Sequence, residues 1–481
     1  MTHLSRNVFF ALCILGNCTS LKAQELWGAS NSNYAGTMGH DLNPASIVAC
    51  PFNWEVHLLS ADVFAMNNYL FLRKKSEAIR KSYRGEAIDE DRIAIRDKQD
   101  DKSAYVSAFA KLPAFMYSNQ NWGLGFHVSS RMAFGVRGLP YHLANFMKEG
   151  FDFKPQQKID YSGGNARVAA LNWHEAGLTG GLTLNKDPSN FLTAGITLNY
   201  LFGLNGMYLL VNNLNYNVQA DTLWQIYVAN VEYGHAVPGA ANSGSLFQKK
   251  GSGFGGSLGF QYYKNRNQEA YNPCPDKERK KKYDYKIGVS IIDVGRIKFK
   301  SNASTFAFND LGTDWFGIDT VKLKSIGNTD STFSRQFFGD ATASQVGTSF
   351  PLWLPAAASI QFDYALSPSF YLNASLIQRI PFNAYTVRRP NQISLALRYE
   401  LKRFEVAIPY SYYDFFRHRI GLCIRWGILT LGTDMIGPFT GLTDTYGADI
   451  YFGLKWQHFK KCSKRTRARK DYMGECFQEI K

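Results

Sequence analysis

A chain of 481 residues with 15% aromatics, 27 Tyr and 41 Gly could hold two or three soluble domains or one large barrel, and its Gly and Tyr content favours the barrel. The net charge of +15 does not point to nucleic acid, because the basic residues cluster at 277–282 and 460–470 and do not spread over a recognition face. No run reaches the roughly 18 apolar residues of a membrane-spanning helix, and Cys50, Cys274, Cys423, Cys462 and Cys476 are too sparse for a disulfide scaffold and lack CxxC metal spacing.

Residues 1–23 read as a signal peptide cleaved after Ala23, with Arg6 as the positive start and 8–15 as the short apolar core. A lipoprotein reading at Cys18 is weaker, because Asn17 is bulkier than the small residue expected there. Residues 27–51 are rich in Asn, Gly, Ser and Ala without alternation, so they must lie against something else. Strand signal runs from Trp54 to Met66, with a phase change near Leu59 that reads as a bulge. The charged stretch 73–102 reads as an exposed loop with one short helix. Strands follow at 105–118, 122–136, 168–184 and 191–203, while 222–233 has the pattern of a strand within an external loop. Strands at 253–263 and 285–299 flank a basic turn, and 300–352 reads as a long polar loop. The last third alternates most regularly, over 356–366, 370–380, 393–401, 404–413, 420–426, 428–435 and 448–459.

The sum is about 14 strands, within the even-numbered range of bacterial barrels. In the last strand Ile450, Phe452, Leu454 and Trp456 share one face, and Tyr451, Gly453, Lys455 and Gln457 the other. An Arg or Lys near the lipid midplane costs about 2–4 kcal/mol, so Gln361, Asp363, Arg398, Glu400, Glu405, Arg425 and Lys455 are assigned to the lumen. Tyr410, Tyr412, Tyr413, Phe415 and Phe416 form a candidate aromatic girdle at one rim, and Phe404, Trp426, Trp456 and Phe459 at the other. Turns such as 119–121, 367–369 and 402–403 fall on one side, while the connections 67–104, 204–250 and 300–352 fall on the other. That is the asymmetry of an outer-membrane barrel with long extracellular loops. A soluble sandwich would also alternate, but export combined with so many aromatic strands favours an all-β transmembrane antiparallel barrel. A lumen holding carboxylates and guanidinia is wet or plugged. The organisation expected is therefore a hatch over 24–52, a barrel over 53–459 and a basic periplasmic tail over 460–481.

Asn43-Pro44-Ala45, after a Gly- and Asn-rich run and before the strands, resembles the FadL-like outer-membrane barrels, in which an NPA-containing hatch lies inside the barrel. Asn33-Tyr34-Ala35-Gly36-Thr37, Asn67-Asn68-Tyr69-Leu70 and Ala448-Asp449-Ile450-Tyr451 look like a Gram-negative outer-membrane family defined as a domain of unknown function. The resemblance implies an outer-membrane location and one of two roles. One is a passage for small or hydrophobic ligands; the other is an adaptor like the PorV-type barrels of the type IX secretion system. The charged lumen fits a fatty-acid conduit poorly. Expected partners are outer-membrane lipid, the assembly machinery (reading Trp456 and Phe459 as its signal) and a periplasmic or secretion-system protein.

Gly251-Ser252-Gly253-Phe254-Gly255-Gly256 satisfies GxGxxG, but a strand follows it where a dinucleotide site needs a helix. His174-Glu175 lacks the second His of a zinc protease, and no nucleophile is tied to a base. The sequence therefore assigns no cofactor, metal or catalytic residue.

Overall fold

The computed structural model describes residues 26–74, 93–119, 121–187, 189–237, 248–265, 281–321, 326–414 and 416–459. The signal peptide, the 460–481 tail, Cys274, Cys462, Cys476 and Phe415 lie outside the described residues.

Fourteen strands form one antiparallel ring. In order they are β1 (Phe52–Asn67), β2 (Lys102–Lys111, continued by Ala114–Ser118), β3 (Trp122–Leu139), β4 (Arg167–Lys186), β5 (Asn190–Ala220), β6 (Gly251–Lys264) and β7 (Tyr285–Phe299). They continue with β8 (Phe350–Trp353 and Ala357–Ala365), β9 (Phe370–Arg379), β10 (Gln392–Glu400), β11 (Phe404–Tyr413), β12 (Arg417–Ile420 and Leu422–Trp426), β13 (Leu429–Thr433) and β14 (Gly447–Phe459). β14 pairs with β1, with Phe459 opposite Phe52 and Gly447 opposite Met66, so the ring has no open edge. The phase change near Leu59 is a register shift between His57 and Leu59 on that seam.

Every strand turns large apolar side chains outward, among them Leu58, Phe115, Leu124, Leu178, Leu198, Phe260, Val289, Ile360, Leu372, Leu395, Ile408, Ile424, Leu431 and Ile450. A soluble protein does not expose such a band, whereas hydrocarbon solvates it.

The rim opposite the chain ends is more structured than its sequence suggests. β5 does not stop at Gly203 but runs on to Ala220, three times the roughly 9–11 residues a tilted strand needs to cross a bilayer. Its extension pairs with Leu223–Ala236, which pairs in turn with Ala303–Phe316. The 222–233 segment is thus a strand outside the ring. The supposed loop 300–352 holds that strand, the helix Ile326–Phe338 and the start of β8. Leu214, Tyr216, Val218, Ile226, Phe146 and Trp224 pack together beneath this external head. Long-range pairing overrode local polarity there. Of the charged stretch 73–102, residues 75–92, over which a short helix was expected, lie outside the described residues, and Ile93–Ile95 pairs with Leu70–Leu72.

Two girdle assignments are corrected. Tyr413 packs inward against Phe64 and Arg419, and Phe459 against Phe52 and Tyr34, 6.4 and 6.1 Å between ring centroids. Both have the inward parity of their strands, which proximity to a rim does not change. Trp456 is 62% exposed on the outer face.

Candidate functional site: the hatch and the lumen it fills

Residues 26–51 lie inside the ring as a chain of short turns, with a helix at Trp27–Ser30 and 3-10 turns at Gly36–Met38 and Pro44–Ile47. The last turn explains its own sequence. Pro44 supplies the fixed φ of a first helical position, and the Asn43 side chain caps the turn by accepting from Ala45 N at 3.0 Å. The other end of the same amide donates to Phe260 O (3.1 Å), Val289 O (3.4 Å) and Gln361 Oε1 (3.0 Å) on β6, β7 and β8.

The wall is shaped for this turn. A Cβ built on Gly195 would stand 2.4 Å from the Pro44 carbonyl carbon, and one on Gly259 would stand 2.2 Å from Asn43 Oδ1. A Cβ on Gly181 would stand 2.6 Å from Ile47 Cγ2, and one on Gly123 would stand 3.0 Å from Ile47 O. These glycines admit close backbone approach, and Ala45, Ile47 and Val48 are fully buried against them. Replacing Asn43 by Asp keeps the cap but turns an acceptor toward three acceptors. It should loosen the turn by about 1–3 kcal/mol, read as faster hydrogen exchange at Ala45–Val48; unchanged exchange would refute the bridge.

Other hatch residues are held around the ring. Thr37 donates through N and Oγ1 to Glu55 of β1 at 2.9 and 2.7 Å. Lys111 of β2 reaches Thr37 O and Asp41, Asn33 reaches Glu400 of β10, and Ser32 reaches Glu405 of β11 at 2.7 Å. Lys455 of β14 donates to Tyr34 O and Ala35 O at 2.7 and 2.8 Å. Trp27 binds Asp434 and Gln392.

The side chains of Gln361, Asp363, Arg398, Glu400, Glu405, Arg425 and Lys455 are all buried, Gln361 and Lys455 against the hatch and the other five in two ionic groups. Arg398 donates to Asp363 at 2.7 Å and to Glu400 at 2.9 Å, with all three side chains at 0% exposure. Lys286 and the Tyr283 hydroxyl also meet Asp363, and Arg425 pairs with Glu405 at 3.0 Å. Carboxylates buried in this way persist only when paired and hydrogen-bonded.

The sequence did not flag a second charged group, nearer the far rim. Arg131 holds Asp293 through both guanidinium nitrogens at 2.6 and 2.8 Å, and Arg389 joins at 2.8 Å. Glu175 accepts from Ser129 and the Trp173 indole. Arg389 comes from the connection 381–390, which folds inward beside Trp353 and Gly135. Its neighbour Arg388 pairs with Asp414. Between this group and the hatch lies a cavity of about 100 Å³, lined by His40, Asp41, His127, Arg131, Glu175 and Asp293 among others. It has room for roughly seven to ten waters.

His40 sits on the hatch side of this cavity, facing Lys111, Asp41, His57 and His127, with Arg131 beyond. Among the described residues neither of its ring nitrogens has a hydrogen-bond partner. Burial, then the Lys111 ammonium, holds its imidazole well below the ordinary 6.5. A displaced hatch would bind a proton that the seated hatch refuses, so seating weakens as pH falls below about 6.5, by at most about 1.4 kcal/mol per unit. Protease cleavage within 26–51 should rise between pH 7.5 and 5 in the native chain and rise less in His40→Asn. Equal slopes would exclude His40 as the cause.

Residues 44–434 match the family of unknown function DUF5723. This chain is a member of that family. No curated protein matches the DUF5723 chain. Among solved structures it is similar to the P. putida toluene transporter TodX, at TM-score 0.40 and 11% identity over 89% of this chain and 95% of that one. It is also similar to the Ralstonia pickettii toluene transporter TbuX, at 0.39 and 9% over 89% and 95%. A third likeness is the translocator domain of NalP from Neisseria meningitidis, at 0.33 and 9% over 90% and 100%. Likenesses this weak carry no inference about what the DUF5723 barrel binds or moves.

Proposed function

We propose that this protein is an outer-membrane barrel, plugged at rest, that serves the envelope as a non-enzymatic scaffold presenting its external head. The supporting observation is the hatch, which hydrogen-bonds to residues on both sides of the seam and across the ring and leaves a cavity of about 100 Å³. A hydrocarbon route is poorly served by this space. An apolar cavity that takes benzene measures about 150 Å³, and this one is smaller and sets Asp41, Arg131, Glu175 and Asp293 among its apolar lining residues. The test is solute entry into liposomes carrying the intact chain. Neither small sugars nor toluene should enter faster than into protein-free liposomes, and selective entry of either would overturn the scaffold reading.

A gated passage for small ligands is the second reading. It is favoured by the 381–390 segment, whose Arg389 lines the cavity and pairs there with Asp293. On the scaffold reading a stable envelope protein co-purifies with the chain, and losing it on removal of 460–481 would assign the contact to the tail.

A further inference from the structure

One charged sector of the outer wall plays no part in either reading. Across β5 to β8 the ladder aligns outward-facing residues in rows: Tyr200, Phe254, Arg296 and Trp353 in one, and Phe202, Ser252, Lys298 and Pro351 in the next toward the far rim. Toward the chain-end rim the same strands turn out Ile196, Leu258 and Ile291, then Phe260, Val289 and Ile360, and finally Tyr285 and Tyr364. Ten residues of β7 separate Tyr285 from Arg296, within the roughly 9–11 that a tilted strand needs to cross hydrocarbon. Arg296 and Lys298 therefore emerge where hydrocarbon ends on the far side.

Two further lysines join them. Lys249 Nζ lies 5.4 and 5.5 Å from the Tyr200 and Phe202 ring centroids, and Lys300 N donates to Lys250 O at 3.1 Å. The Lys249, Arg296, Lys298 and Lys300 side chains are exposed, and among the described residues none forms an ion pair with a carboxylate. Beneath them the aromatics form a continuous platform. Tyr200 packs edge-on against Phe202 and Phe254 at 4.6 and 5.2 Å, Arg296 lies over Trp353, and Phe254 is 75% exposed. Exposed basic residues on a water-facing loop would need no explanation. These lie on the lipid side of the wall, on an aromatic row at the depth of headgroups, whereas β3 turns out uncharged Ser130 and Met132.

We propose that this sector binds the phosphate groups of lipid headgroups in the leaflet that meets the far rim. Aromatic rings settle at that depth, guanidinium matches phosphate geometry, and each Lys or Arg near an anionic surface contributes about 1 kcal/mol. Free phosphate would use the cations but gain nothing from the rings, so the occupant is a lipid.

The test uses the full chain in phosphatidylcholine nanodiscs containing either diphosphoryl lipid A or the same lipid after phosphatase treatment, with retained lipid counted after detergent exchange. The native chain should retain at least about tenfold more of the phosphorylated form, and Arg296→Gln with Lys298→Gln and Lys300→Gln should abolish most of that preference. Folding is checked by heat-modifiable migration. If the triple variant does not fold, Lys298→Gln alone must still lower retention in its folded form. Equal retention of the two lipids, an unchanged preference in a folded variant, or displacement by millimolar inorganic phosphate would each overturn the proposal.

Discussion

Deleting residues 26–51 should turn a barrel that is electrically silent in planar bilayers into one that conducts in discrete steps. A ring of about 8 strands is filled by its own side chains, whereas 16–18 strands leave an aqueous channel. Fourteen lie between these limits. Here the hatch occupies the difference, covering Glu55, Lys111, Gln361, Glu400, Glu405 and Lys455 with its backbone and side chains. Removing it leaves those groups to water. If the deletion does not insert, Gly195→Leu offers a gentler route, because its side chain would displace only the Pro44 turn and its wall bonds through Asn43 and Ala45. Silence in a folded deletion variant would mean that the inward 381–390 segment closes the lumen alone.

Arg398→Met should be the most damaging single substitution in the wall. It removes the cation shared by Asp363 and Glu400, all three fully buried, and leaves Lys286 at 3.3 Å and Lys282 at 3.8 Å as the remaining cations. Breaking such a pair from one side costs about 3–5 kcal/mol. The loss should appear as a lower urea midpoint with faster release of the hatch, since Glu400 also holds Asn33. Arg398→Lys should recover part of it. An unfolding free energy within about 0.5 kcal/mol of the native chain's would mean that the neighbouring lysines neutralise the site unaided.

Alternation made the ring legible because its period is backbone geometry. Alternation sets Gln361, Asp363, Arg398, Glu400 and Lys455 opposite the lipid-facing residues of their strands, and their side chains are buried. Asn43-Pro44-Ala45 was legible as a hatch motif, and its chemistry is that of a capped turn. The Arg131–Asp293–Arg389 group was not, because Arg131 and Asp293 belong to strands far apart in sequence and Arg389 to a connection whose inward course no local pattern encodes. The extension of β5 to Ala220 was missed for a related reason. Outside hydrocarbon the alternation loses its lipid face, so polar Asn213, Asn215 and Asn217 read as loop while pairing makes them strand. Phe459 shows the opposite error, in which nearness to a rim was weighed above parity.

The seam between β1 and β14 also bears on the order of assembly. Bringing Phe459 to Phe52 closes a loop of nearly the whole barrel, at an entropic cost of about 5 kcal/mol. The hatch, tethered directly to Phe52, reaches the seam without that cost. Glu55 holds it from one side and Lys455 and Gln457 from the other, and Gln457 bonds Glu55 across the join at 2.6 Å. The last strand therefore docks onto a surface that the first residues of the chain help to build. Loading the plug and sealing the cylinder become a single event, and a chain whose hatch is absent or misplaced lacks part of the template on which its final strand would zip.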